Sequence, residues 1–139
     1  AGRVEHWRKY LAPLKDAGIM TSAFVTPEPE QASAAVDAGF DAIELHTGAF
    51  AHAWADRSGA DAASYQRARE AFVRCVRDFS HVLGIHAGHA LNYENTQDLL
   101  SLPGARSDIR ELHIGHSIVA RAIFVGMEQA VREMKRLVG

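Results

Sequence analysis

Three observations predict an α/β fold built on a parallel sheet. Short apolar runs alternate with longer helical patterns, glycines close the first two helical patterns, and titratable side chains gather where the apolar runs stop. At 139 residues the chain has room for one such domain, spanning residues 1–139, and not for two.

The first helical pattern is "VEHWRKYLAPLKDAG", with Val4, Trp7, Leu11 and Leu14 at helical spacing and Gly18 suited to close it. Pro13 lies inside and is expected to kink or shorten it. "IMTSAFV" (19–25) reads as a buried strand, after which Thr26 and Pro27 read as N-cap and first residue of a helix reaching Ala38 and closed by Gly39. "DAIELHTG" is a second strand ending in a turn of small residues. "AFAHAWADRSGADAAS" is predicted to be a long loop, and long loops inside compact α/β domains are usually functional. An amphipathic helix follows from about Ser64 to Leu83, with Ala68, Ala71, Phe72, Cys75, Val76, Phe79 and Leu83 on one side. Mid-helix Cys75 reads as a small packing residue and not as a nucleophile. "GIHAG" and "IRELHIGH" are the third and fourth strands, separated by a loop with a short helix near Thr96–Leu100. "SIVARAIFVGMEQAVREMKRL" gives a short helix, a break near Gly126 and a terminal helix.

A helix followed by four strand–helix units implies a parallel sheet covered by helices. Two architectures fit, an open doubly wound sheet or part of a (β/α)8 barrel. The open sheet would carry a glycine-rich phosphate loop after its first strand, and "AFVTPEPEQ" is nothing like one. The barrel is the better reading. Such a barrel typically needs about 250 residues, and four strands would leave two open edges and an unfilled interior. The chain opens on "AGRVEHW", with no initiator methionine and no strand before the first helix. The expectation is therefore that the N-terminal half of the barrel is absent from this chain.

Charge is nearly balanced, with 15 lysines and arginines against 17 aspartates and glutamates, and the arginines form no basic stripe, which argues against a nucleic-acid partner. No apolar run approaches the roughly 18 residues of a membrane span, and no signal-peptide pattern opens the chain. One cysteine cannot form an internal disulfide, so a cytoplasmic location is expected.

Barrel enzymes place catalytic groups at the C-terminal ends of their strands. Here three consecutive strand ends deliver Glu44 and His46, then His86 and His89, then His113 and His116. A lone histidine is more often a satisfied core or surface residue; the threefold recurrence is what favours a site. Glu44 and His46 share strand parity, so both face the same side. Histidine with carboxylate suits either a metal or proton transfer, and spacing alone leaves both open. "IGHSIVARA" offers free backbone N–H groups and a positive helix end to an anion, as in barrel phosphate sites, although an ordinary turn would read the same way.

Read together, "IELHTG", "HAGHALNYEN" and "ELHIGHSIVARAIFVGMEQAVREMKRL" resemble the C-terminal part of the pyridoxine 5′-phosphate synthase family. The resemblance covers essentially the whole chain and implies the C-terminal half, about four βα units, of a (β/α)8 barrel. It also implies a cytoplasmic homo-octamer assembled from dimers. The activity it implies is condensation of 3-amino-2-oxopropyl phosphate with 1-deoxy-D-xylulose 5-phosphate in vitamin B6 biosynthesis, releasing phosphate and water. Neither metal nor organic cofactor is implied. His89 matches the family's proton donor, Glu44 its transition-state stabiliser, and Gly115 and His116 the pair that holds the aminoketone phosphate. Ala90 stands where the family usually has a glycine whose backbone touches the same substrate. His86 and His113 occupy positions where other members often carry asparagine or another residue, and are expected to act only in support. The chain on its own is expected to be inactive. Two rival readings are a metal-dependent phospho-sugar epimerase or aldolase half-barrel, with Glu44, His46 and the later histidines as ligands, and a non-catalytic half-barrel for phosphate binding or assembly.

Overall fold

The computed structural model describes residues 3–60 and 62–139. In chain order the elements are α1 (Val4–Asp16), β1 (Ser22–Val25), α2 (Pro29–Ala38), β2 (Ala42–His46), α3 (Gly48–Trp54), α4 (Ala62–Phe79), β3 (Gly84–Gly88), α5 (Asn95–Leu100), α6 (Ala105–Asp108), β4 (Ile109–His113), α7 (His116–Val125) and α8 (Met127–Val138).

The strands form one parallel sheet in the order β1-β2-β3-β4, so each strand pairs with its neighbour in sequence. A sheet that progresses in one direction, joined by right-handed crossovers, receives its helices on one face. Burial agrees. Ile43, Leu45, Ile85 and Ala87 are fully buried and pack with Ala32 and Ala35 of α2, Phe72, Cys75 and Val76 of α4, and Leu99 of α5. The alternate residues, Phe24, Glu44, His46, His86 and His113, belong to the other face, where Phe24 is 57% exposed. Side chains alternate across a strand, so packing Ile43 and Leu45 into the core places Glu44 and His46 on that second face.

Several sequence expectations need correction. The first strand begins at Ser22 and not at Ile19; Ile19 and Met20 are exposed. Thr21 is diverted from strand pairing because its N–H and hydroxyl both donate to Asp41 Oδ2, at 2.8 Å each. The second helix starts at Pro29, with Glu28 and not Thr26 at the N-cap. A residue before proline is pushed out of the helical region, and Glu28 is extended (φ −113°, ψ 127°), so the helix cannot begin earlier. Gly39 closes it as expected, at φ 91°. α1 runs on through Pro13 to Asp16.

The expected loop at 49–64 is largely helical. α3 buries Phe50 and Ala53, and Trp54 Nε1 donates to Asp98 Oδ2 at 3.0 Å. An alanine-rich segment with apolar residues at i, i+3 and i+4 forms an amphipathic turn readily. Asp61, in the same stretch, lies outside the described residues. α4 accordingly starts at Ala62 and ends at Phe79, so Leu83 is buried beyond the helix and not on it. Cys75 is a packing residue, fully buried, with burial pushing its thiol up to about 11. No helix among the described residues is long and apolar enough to cross a membrane.

Candidate active site

Parallel strands all end at one edge of their sheet, so the strand-end histidines meet there. Two rows form across the sheet. Glu44 pairs in register with His86, and His86 with Glu111; one step nearer the C-terminal edge, His46 pairs with Gly88, and Gly88 with His113. The register of β4 shifts between Ile85 and His86, leaving Arg110 as the extra residue. This bulge is what brings Glu111 and His113 onto the titratable face while Ile109 and Leu112 both pack toward the helices.

The lower row is a histidine–carboxylate cluster. His113 Nδ1 lies 2.6 Å from Glu44 Oε2 and His113 Nε2 lies 3.3 Å from Glu111 Oε2. The hydrogen bond with Glu44, aided by Glu111 and opposed by partial burial, raises the His113 pKa above its ordinary value. Glu44 must reach across β3 to make this bond, and Gly88 permits it. A Cβ at residue 88 would collide with Glu44 Oε1 and sit 3.0 Å from His113 Cβ. His86, only 4% exposed, stacks edge-on to His113 with ring centroids 5.4 Å apart. Its Nδ1 has no hydrogen-bond partner and lies 3.9 Å from Glu111 Oε2. A buried ring nitrogen left so costs about 1–3 kcal/mol.

Next to this cluster, His46 and His89 stack with centroids 4.3 Å apart and planes 24° from parallel. Gly48 N donates to His46 Nδ1 at 3.2 Å, which leaves the Nε2 of a neutral His46 to carry the proton. Gly48 also makes room, since a side chain there would clash with both rings. Thr47, 1% exposed, clamps the turn: its N–H donates to Gly88 O at 2.8 Å, and its hydroxyl is shared between Gly88 O and His89 O, at 2.7 and 2.6 Å.

His89 and Ala90 both have positive φ, 83° and 59°. A loop lock holds this unfavourable backbone. Buried Asn95 donates from Nδ2 to Ala90 O at 3.1 Å and accepts from Asn92 N at 2.8 Å, while Asn92 Oδ1 accepts from the backbone N–H groups of Glu94 and Asn95. Ser117 Oγ donates to Leu91 O at 2.9 Å and Tyr93 OH to Ala130 O at 2.8 Å, tying this loop to α7 and α8. Gly115 is the N-cap of α7 and His116 its first residue, both exposed at the same edge.

The structure thus places Glu44, His46, His89, Ala90, Gly115 and His116 along one edge, with Glu44 bonded to His113 and His89 stacked on His46. Sequence reading did not single out Thr47, Gly48, Gly88, Asn92, Asn95 or Glu111. The Asn-x-x-Asn spacing after "GHA" was a readable turn signal. Glu111 was hidden by the bulge, which breaks the two-residue alternation.

Together, fold and site define an α/β protein with acid–base side chains and an exposed helix N-terminus at the C-terminal edge of a parallel sheet. The family model described as "Pyridoxal phosphate biosynthesis protein PdxJ" matches residues 1–139, and the chain belongs to that family. It is 48% identical over 129 residues to a pyridoxine 5′-phosphate synthase of Dechloromonas aromatica (strain RCB), covering 91% of this chain and 50% of the relative. A protein of the same name from Azoarcus sp. (strain BH72) is 47% identical over 136 residues, with 91% and 50% covered. One from Aquifex aeolicus (strain VF5) is 39% identical over 135 residues, with 96% and 54% covered. The chain spans about half the length of the curated relatives it matches.

Proposed function

We propose that this chain forms the C-terminal four βα units of a (β/α)8 barrel that acts as a pyridoxine 5′-phosphate synthase. The reaction joins 3-amino-2-oxopropyl phosphate to 1-deoxy-D-xylulose 5-phosphate and releases phosphate and water. The observation that carries the reading is the meeting of Glu44, His89 and the start of α7 at one sheet edge, in a chain whose whole length matches the family. The half-barrel is supported by a sheet that progresses in one direction, by β1 and β4 each pairing on one side only, and by a titratable face opposite the helix-packed core. Four further strands would cover that face and close both edges.

In this reading an amine adds to a carbonyl and several protons then move, which needs positioned acid–base groups and a fixed anion site. His89, exposed and stacked on His46, is the proton donor of ring closure. Glu44, held by His113, stabilises positive charge that develops on the condensing nitrogen. Gly115 and His116 bind the aminoketone phosphate with the N–H groups that open α7, and the peptide of Ala90 lies against the same substrate. No metal or organic cofactor enters these steps. α7 buries none of its residues and exposes Val119, Ile123 and Phe124, which supports burial between subunits of a homo-oligomer, an octamer in this reading. With a single cysteine, the protein is assigned to the cytoplasm.

The test is His89→Asn in the intact protein. The variant is expected to lose turnover while binding 3-amino-2-oxopropyl phosphate within about threefold of the parent, because the phosphate contacts lie on α7. Undiminished turnover would remove His89 from the mechanism. Failure of the parent protein to form pyridoxine 5′-phosphate from the two substrates would overturn the assignment itself.

A further inference from the structure

Beneath the strand-end groups, three side chains converge that the condensation does not use. His86 Nδ1, Glu111 Oε2 and His113 Nε2 all lie within 4.8 Å of one another, with Glu111 Oε2 3.9 Å from His86 and 3.3 Å from His113. Zinc-like cations bind at about 2.0–2.1 Å, which in a tetrahedral set places ligand atoms roughly 3.3 Å apart. The spacing found is within about 1.5 Å of that at its widest, and Glu111 is exposed and can move to close it.

Two further features point to a ligand. The His86 side chain is only 5% exposed, yet its Nδ1 has no hydrogen-bond partner and faces the Glu111 carboxylate. His113, in turn, is already oriented as metal-bound histidines usually are, one ring nitrogen on a carboxylate (Nδ1 to Glu44, 2.6 Å) and the other turned toward the cluster. With the Nδ1 proton donated to Glu44, Nε2 is free to present a lone pair once its own proton leaves to solvent.

We propose that His86, Glu111 and His113 form a binding site for one divalent transition-metal cation, with Glu44 as the carboxylate that orients His113. Two imidazoles and one carboxylate select zinc, cobalt or nickel over magnesium or calcium. Three protein ligands leave a coordination position open to water. The site does not depend on the condensation reading, and it differs from the Glu44–His46 ligand pair weighed from sequence, because those two side chains are engaged by different partners.

The test is titration of the intact, chelator-treated protein with Zn²⁺ and, for its visible d–d spectrum, Co²⁺. One equivalent per chain is expected, with a Co²⁺ spectrum of nitrogen and oxygen ligation. Glu111→Gln and His113→Asn are each expected to weaken binding at least about tenfold, and Glu44→Gln by roughly 10–100-fold through loss of the orienting carboxylate. His86→Asn alters a buried residue and can disturb folding, whereas Glu111 and His113 are exposed, so their variants, checked by circular dichroism, keep the result interpretable. Absence of a saturable equivalent, or unchanged affinity in both Glu111→Gln and His113→Asn, would overturn the proposal.

Discussion

Glu44 of β2 and His113 of β4 are joined by a 2.6 Å hydrogen bond that passes over the intervening strand at Gly88. The sheet pairs neither strand with the other, so this contact exists only because the residue between them has no side chain.

Gly88→Ala is expected to break that bond. The new methyl would meet Glu44 Oε1 and press on His113 Cβ and O at 3.0 and 3.1 Å, and the backbone oxygen cannot rotate away. Overpacking of this kind costs about 1–3 kcal/mol, readable as a lowered urea midpoint with an unchanged slope.

The same pair makes stability depend on pH. Bonding to Glu44 raises the His113 pKa, so between the unfolded value of about 6.5 and the higher folded value the native state holds the extra proton. The contribution of this pair is therefore fully present below about pH 6.5 and lost as pH rises through the folded pKa. Urea midpoints taken across that window should fall with rising pH, and the fall should be smaller in His113→Asn.

Ala90 adopts φ 59°, where a Cβ is disfavoured. Ala90→Gly should stabilise the protein by about 1 kcal/mol, the relief of strain outweighing the added freedom of the unfolded chain. If the peptide of residue 90 touches the aminoketone substrate, the same change should also tighten its binding. Equilibrium unfolding measures the first effect and calorimetric titration the second.

Asn95→Ala should unlock the loop. It leaves the carbonyl of Ala90 and the N–H of Asn92 without their partner at a buried position, at a cost of about 1–3 kcal/mol. Faster hydrogen exchange is expected from His89 through Asn92, with little change at Ile43 or Leu45 in the core.

Cys75 should be inert in the folded protein. It is fully buried and its thiol is pushed up to about 11, so an aromatic disulfide reagent at neutral pH should react only as denaturant unfolds the chain. Stoichiometric reaction without denaturant would contradict the packing described for α4.

Local patterns in the chain were enough to set out most of the fold. Alternation in "AIELH" determines that Glu44 and His46 share a face, and the glycine after Ala38 determines where α2 stops. Both signals act over a few residues. The start of α2 was readable too, but only by weighing the restriction that Pro29 places on Glu28 above the more familiar cap pattern of Thr26 and Pro27. α3 went unseen because its short helix draws support from distant partners, Trp54 on Asp98 and Phe50 against Tyr65.

The amino-acid sequence determined that four parallel strands carry histidines and a glutamate to one edge, because strand parity and the direction of a βα chain are local properties. Tertiary structure decided which of those groups touch. The bulge at Arg110 turned Glu111 toward His86, and the bare backbone of Gly88 let Glu44 reach His113, neither of them a neighbour in sequence. Contacts of that kind depend on register between strands many residues apart, and they form only when the whole sheet is assembled.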